Sequence, residues 1–238
     1  MVAGHGPYIT IDGDLAKAQS AAPKMGPKYT LDVPTSWSAE RYEGVIVSLL
    51  NTLSRSRAAN AVLLRLRKPL MIRPWIWTPT NAAAIPDSAV AAVAERDQSC
   101  GFSGSGKGSG VTVWITPRNR IIPDATLLHE CVHAMRHMEG ARTCSTYPAN
   151  FDTEEEYLAI LITNVFMSEM KRTLIRTDHR GNSWVDAKSP CDQFRVDPFL
   201  ITTFGMRHSS LYMDLGRVRE AKFNPFNPTF SDKLQTVR

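Results

Sequence analysis

The chain has 238 residues, 43% of them hydrophobic and 21% charged, and its 28 lysines and arginines against 23 acidic residues give a formal charge of +5. That length can bury a core, and the composition excludes a mainly disordered, collagen-like or coiled-coil protein. The basic residues are scattered with no run of five, which argues against nucleic acid as the main partner, and no apolar stretch approaches the ~18 residues of a membrane-crossing helix.

Residues 1–35 are rich in Gly, Pro, Ala and Lys and read as a loosely ordered lead-in to a catalytic domain over 36–238, with strand-like pieces at 8–11 and 29–33. The first seven residues lack the basic-then-apolar pattern of a Sec-type signal peptide, so either secretion or delivery into a target cell would use a different route, or the chain is a fragment of something longer. From Ser38 onward, Tyr42, Val45, Ile46, Leu49, Leu50 and Leu53 recur at helical spacing, and a second helix is expected near 57–66. Residues 69–77 alternate apolar positions around Arg73 and Pro74, which suits an edge strand. A short Ala-rich helix is predicted over 87–96, with Asp87 or Ser88 as its cap. The glycine-serine loop 101–110 leads into a strand over 111–115, read as an edge strand to which a peptide could add through backbone hydrogen bonds. Part of that loop, Gly101-Phe102-Ser103-Gly104-Ser105-Gly106-Lys107-Gly108, imitates a phosphate-binding loop. It lacks Ser or Thr after Lys107 and precedes a strand where a helix is required, so that reading is rejected.

Asp124 is expected to cap a helix through Met138 that stops at Gly140. Asp152 or Thr153 then starts a helix to about Met170, apolar on nearly every side and therefore buried. Beyond Asp178 the signals weaken to helical hints over 198–219 and a turn-rich tail over 220–238. These elements predict an α+β fold, with 69–77 and 111–115 in a small sheet packed on the two long helices. The four cysteines, Cys100, Cys131, Cys144 and Cys191, include no Cys-x-x-Cys pair. They read as a few thiols, Cys131 packed inside its helix, with Cys100, Cys144 and Cys191 the candidates for a disulfide in an oxidising compartment.

The segment His129-Glu130-Cys131-Val132-His133 carries the chemistry. Helical positions four apart stand roughly 40° around the axis and 6 Å along it, so the two imidazoles lean the same way and can share one ion. Glu130 flanks the same face and reaches a water rather than the metal, which is the mechanical content of the His-Glu-x-x-His motif of zinc hydrolases. A catalytic zinc needs a third protein ligand and an open position for water. His137 is excluded, because eight helical residues put it about 12 Å along the axis from His129. The Gly and third His of metzincins are absent as well. The acidic cluster Asp152, Glu154, Glu155 and Glu156 remains. Carboxylates at a helix N-terminus can be mere solvated charge, yet a helix this apolar turns at least one inward. Helical phase leaves both Glu155 and Glu156 open. The oxyanion of an acyl-transfer reaction needs a donor besides the metal, for which Tyr147 and His179 are the candidates.

The run Glu155-Glu156-Tyr157-Leu158-Ala159-Ile160-Leu161-Ile162-Thr163-Asn164-Val165, with Arg176-Thr177-Asp178-His179 after it, resembles bacterial zincin-like toxin domains at the ends of type VI secretion VgrG and Rhs proteins. More remotely, it is similar to the third-ligand helix of anthrax lethal factor. The resemblance spans residues 106–181, about a third of the chain. It implies a zincin-like, gluzincin-type metallopeptidase domain, with an edge strand on the motif helix and a buried third-ligand helix. It also implies Glu156 as the third zinc ligand. Lethal factor carries an acidic residue four after its ligand, where this chain has Ile160. The resemblance further implies a toxin acting on a protein or peptide, with a cognate immunity protein and a secretion-apparatus carrier as partners. A zinc amidase or deacylase, and a non-catalytic zinc-containing binding module, are the alternatives; an intact Glu130 argues against the second.

Overall fold

The structure, a computed structural model, describes residues 8–21, 30–31, 37–78, 82–117, 122–147, 151–179, 184–186, 194 and 196–230. The expectations for residues 1–7, most of the 29–33 strand piece, Cys191 and the last eight residues of the tail fall outside that set. The described residues are mixed α and β. They divide into one unit made of Met1–Leu53 with Leu63–Thr143, and a second made of Ser54–Val62 with Cys144–Arg238.

The first unit holds a four-stranded sheet in the order β1 (Ile9–Ile11), β3 (Leu70–Arg73), β6 (Val111–Ile115), β5 (Ala82–Pro86). The first three run parallel, and β5 lies antiparallel to β6 with Ala82 opposite Ile115. The stretch read as a lead-in thus supplies a strand, Ile9 pairing with Leu70.

Two expectations about edges are corrected. Residues 69–77 do not form one edge strand. Pairing stops at Arg73, because Pro74 offers no N–H to a ladder. The chain resumes as β4 (Trp77–Thr78), antiparallel to β2 (Thr30–Leu31). Residues 111–115 are not an edge either: β6 lies between β3 and β5. Val111, Val113, Trp114 and Ile115 are all buried, as suits a strand covered on both faces. The edge beside it is β5, whose Ala82, Ala83 and Ala84 carry little strand propensity.

Around this sheet, α1 (Leu15–Ala21) buries Ala18 and α2 (Ala39–Leu53) buries Tyr42, Ile46, Leu50 and Leu53; the Tyr42 hydroxyl donates to the Ile115 carbonyl at 3.0 Å. The Ala-rich helix shrinks to α4 (Ala89–Ala92), capped by Ser88. The long motif helix, α5 (Pro123–Met138), packs on β5, β6 and α2. The glycine-serine loop is spent on structure. Its amides at Ser105, Gly106, Gly108 and Ser109 donate to the carbonyls of Val90, Val93, Ala91 and His137, so they are not available to cradle a phosphate.

In the second unit, α6 (Glu154–Glu169) is buried on nearly every face, as its composition predicts. A hairpin of β7 (Leu174–Arg176) and β8 (Trp184–Asp186) follows it. Two further helices, Pro198–Arg207 and Ser209–Gly216, occupy the stretch with helical hints. Helix α3 (Arg57–Leu63) belongs to this unit up to Val62. Its N-terminus is held by Glu169, whose carboxylate accepts from the Ser56 hydroxyl and from the amides of Arg57 and Ala58 at 2.5, 2.8 and 3.0 Å. An Ala at position 169 leaves those donors without it. Glu169→Ala should therefore destabilise by about 2 kcal/mol, read as a lower midpoint in thermal circular dichroism, while Glu169→Gln should recover part of the loss. Among the described residues no helix is long and apolar enough to cross a membrane.

Candidate metal centre

Helix α5 is set at both ends. Pro123 occupies its first position, where the missing N–H is no loss. Asp124 therefore sits one residue inside the helix rather than at the cap, with its carboxylate accepting from the Ala125 amide. At the other end Gly140 adopts φ +62°. The amides of Gly140 and Ala141 return to the carbonyls of His137 and Arg136, a paired closure that glycine permits and that satisfies the last turn.

Between these stops His129 and Glu130 are buried, each 7% exposed, and His133 is half-buried. The Nε2 atoms of His129 and His133 lie 3.1 Å apart, with the rings edge-on at 81°. Two nitrogens bound to one tetrahedral zinc at about 2.0–2.1 Å stand roughly 3.4 Å from each other. The helix therefore presents the pair close to a chelating separation. Cys131 is a free thiol, and burial, then the neighbouring Glu130 charge, push it up to about 12. A thiol so disposed is inert packing rather than a nucleophile or ligand. Cys100 and Cys144 are disulfide-bonded.

Helix α6 begins at Thr153, whose hydroxyl accepts from the Glu156 amide. The Thr-x-x-Glu spacing is that of a reciprocal capping box, but the return arm is not made: the Thr153 amide donates to the Phe151 carbonyl. The Glu156 carboxylate instead faces His179, with Oε2 3.2 Å from Nε2. The other ring nitrogen of His179, Nδ1, lies 2.7 Å from Asp152 Oδ2.

Among the described residues, His129, His133 and Glu156 form the group of ligating side chains able to hold a metal ion, their donor atoms all within 4.8 Å of one another. Two imidazoles and one carboxylate are donors that suit a divalent transition metal. Glu155, the other residue that helical phase left open, is buried and is not part of the group. Neither is His137.

Tyr147 lies in an aromatic cluster, its ring 4.7 Å from that of Tyr157, and its hydroxyl donates to Asp197 Oδ2 at 3.1 Å. Sequence reasoning did not single out Asp197. Its other carboxylate oxygen caps the helix Pro198–Arg207 by accepting from Phe199 and Leu200, and its amide donates to the Tyr157 hydroxyl. The signal was present as an Asp directly before a Pro at a helix start. Asp152 was visible only as one acid in a cluster. Its partnership with His179 joins residues 27 apart in sequence and has no local signature. Scans against protein-family models and against curated proteins return no match to this chain.

Proposed function

We propose that the protein is a zinc-dependent hydrolase, specifically a metallopeptidase with a zincin-like fold, that acts as a delivered toxin. The observation that carries the reading is the grouping of His129, His133 and Glu156 within 4.8 Å, with Glu130 next to the first ligand on the same helix. A zinc ion held by those three would lower the pKa of a water toward neutrality and polarise a scissile carbonyl. Glu130 is the general base: its carboxylate takes the proton of the attacking water and returns it to the leaving amine. Burial of Glu130 limits competing hydration of that carboxylate.

A peptide substrate is supported by β5, an edge strand packed on α5, because an extended chain can add to such an edge through its backbone. Disulfide-bonded Cys100 and Cys144 favour an oxidising place of action or passage. The toxin role, its non-Sec delivery, its carrier and its immunity protein rest on the resemblance of the 155–165 and 176–179 runs.

Elemental analysis of purified wild type beside Glu156→Ala and Glu155→Ala tests the centre. About one zinc per chain in wild type and Glu155→Ala, lost in Glu156→Ala, supports it. Retention in Glu156→Ala with loss in Glu155→Ala moves the third ligand by one residue. Wild type that takes up no zinc after reconstitution sinks the hydrolase reading. Turnover of peptides against murein fragments then decides between peptidase and cell-wall amidase.

A further inference from the structure

We propose that His179 is a positioning residue for the metal centre: clamped by Asp152, it holds one oxygen of the Glu156 carboxylate and leaves the other for the metal. The inference rests on the metal-site reading above and adds residues that the motif does not contain.

Both ring nitrogens of His179 face carboxylate oxygens, Nδ1 toward Asp152 Oδ2 at 2.7 Å and Nε2 toward Glu156 Oε2 at 3.2 Å. A ring nitrogen that carries a proton donates to the carboxylate oxygen it faces, and the two distances place one carboxylate on each side of the ring. The side chains involved are half-buried, at 35% for His179, 31% for Asp152 and 22% for Glu156, which limits competition from water. Asp152 makes its contact from φ +64°, a left-handed conformation that non-glycine residues adopt at a cost and that here aims its carboxylate.

The backbone under His179 is tied to the same helix that carries Glu156. Asn164, on α6, donates through Nδ2 to the Arg176 carbonyl at 2.7 Å and accepts the Arg176 amide at 2.9 Å. The Arg176 guanidinium in turn donates to the His179 carbonyl at 2.8 Å. A circuit runs from Glu156 along α6 to Asn164, across to Arg176 and His179, and back to Glu156. A glutamate has three rotatable side-chain bonds, and holding one oxygen removes most of that freedom before any metal arrives. Hydrogen bonds to metal-ligating groups orient them in this way, and losing one typically costs about 10–100-fold in metal affinity.

The test is zinc affinity of the full chain, measured by competition with a chromophoric chelator. The d–d spectrum of the cobalt-loaded protein gives a second readout that reports ligand geometry. His179→Ala should weaken zinc binding about 10–100-fold and alter the cobalt bands. His179→Gln places its amide nitrogen near the Nε2 position and should recover most of the affinity. His179→Asn reaches only the Nδ1 position and should not. Asp152→Gly suits the left-handed backbone but removes the clamp, and should lower affinity in the same direction even if the His179 variants fold poorly. Wild-type affinity in both His179→Ala and Asp152→Gly overturns the inference. So does unchanged affinity in His179→Ala with a reduced kcat, which would make the ring an oxyanion donor. If wild type binds no zinc, the metal-site reading itself fails, an outcome distinct from a wild type that binds and variants that bind equally.

Discussion

Glu130→Gln should leave the protein folded and metal-loaded but reduce kcat/KM on a peptide substrate by about 10²–10⁴-fold. The substitution keeps the shape of a side chain that is 7% exposed and leaves the His129 and His133 imidazoles in the chain. What it removes is the ability to accept a proton. By transition-state arithmetic the loss corresponds to roughly 3–5.5 kcal/mol of barrier. Zinc content measured on the same preparation separates a failed base from a failed site. Zinc near wild type with activity within tenfold of wild type would remove Glu130 from the reaction. Loss of both would mean that the carboxylate supports the fold or the ligands instead.

Gly108→Ala should be the most damaging conservative change in the first unit. Gly108 adopts φ +71°, and a Cβ there would drive into the carbonyl oxygen of Met138, the last residue of α5. Backbone, not a flexible side chain, is what the methyl would meet, so relief requires moving either the loop or the helix end. A cost of about 3 kcal/mol or more is expected, which for a chain of this size lowers the thermal midpoint by roughly 6–12 °C. Gly101→Ala is the control: its φ of +79° carries the same backbone penalty, but nothing lies within 4 Å of the added carbon. A Gly108 variant no worse than the Gly101 one would show that the loop can withdraw from the helix.

What the sequence made legible was local. Helix α5 was readable because its apolar density and its glycine stop lie within one short stretch, and the His129–His133 relation follows from helical pitch alone. Helix α6 was readable for a similar reason, being apolar on nearly every face. Helical phase alone could not choose between Glu155 and Glu156, because it says nothing about what stands opposite each face; that depends on contacts distant in sequence, and only the resemblance pointed to Glu156. Strand β5 was missed because alanines signal neither a period of two nor a preference for the extended state. The misplaced edge followed from it: with β5 unseen, Val111–Ile115 had no neighbour on that side. The false phosphate loop shows the opposite case, where glycines demanded by close backbone packing imitate a ligand motif.

Helix α3 joins a unit whose remaining residues are made much later in synthesis. The bond between Ser56 and Glu169 closes a separation of 113 residues. At a synthesis rate of about 5–20 residues per second, the segment around Ser56 leaves the ribosome roughly 6–23 s before its anchor. During that interval the three donors that Glu169 will satisfy are hydrated, and buried alanines such as Ala58 and Ala59 have no completed unit to enter. Folding of the second unit therefore waits until Glu169 has been made. A nascent chain stalled near Thr143 would carry α3 as an unfinished insertion, a natural target for a holding chaperone.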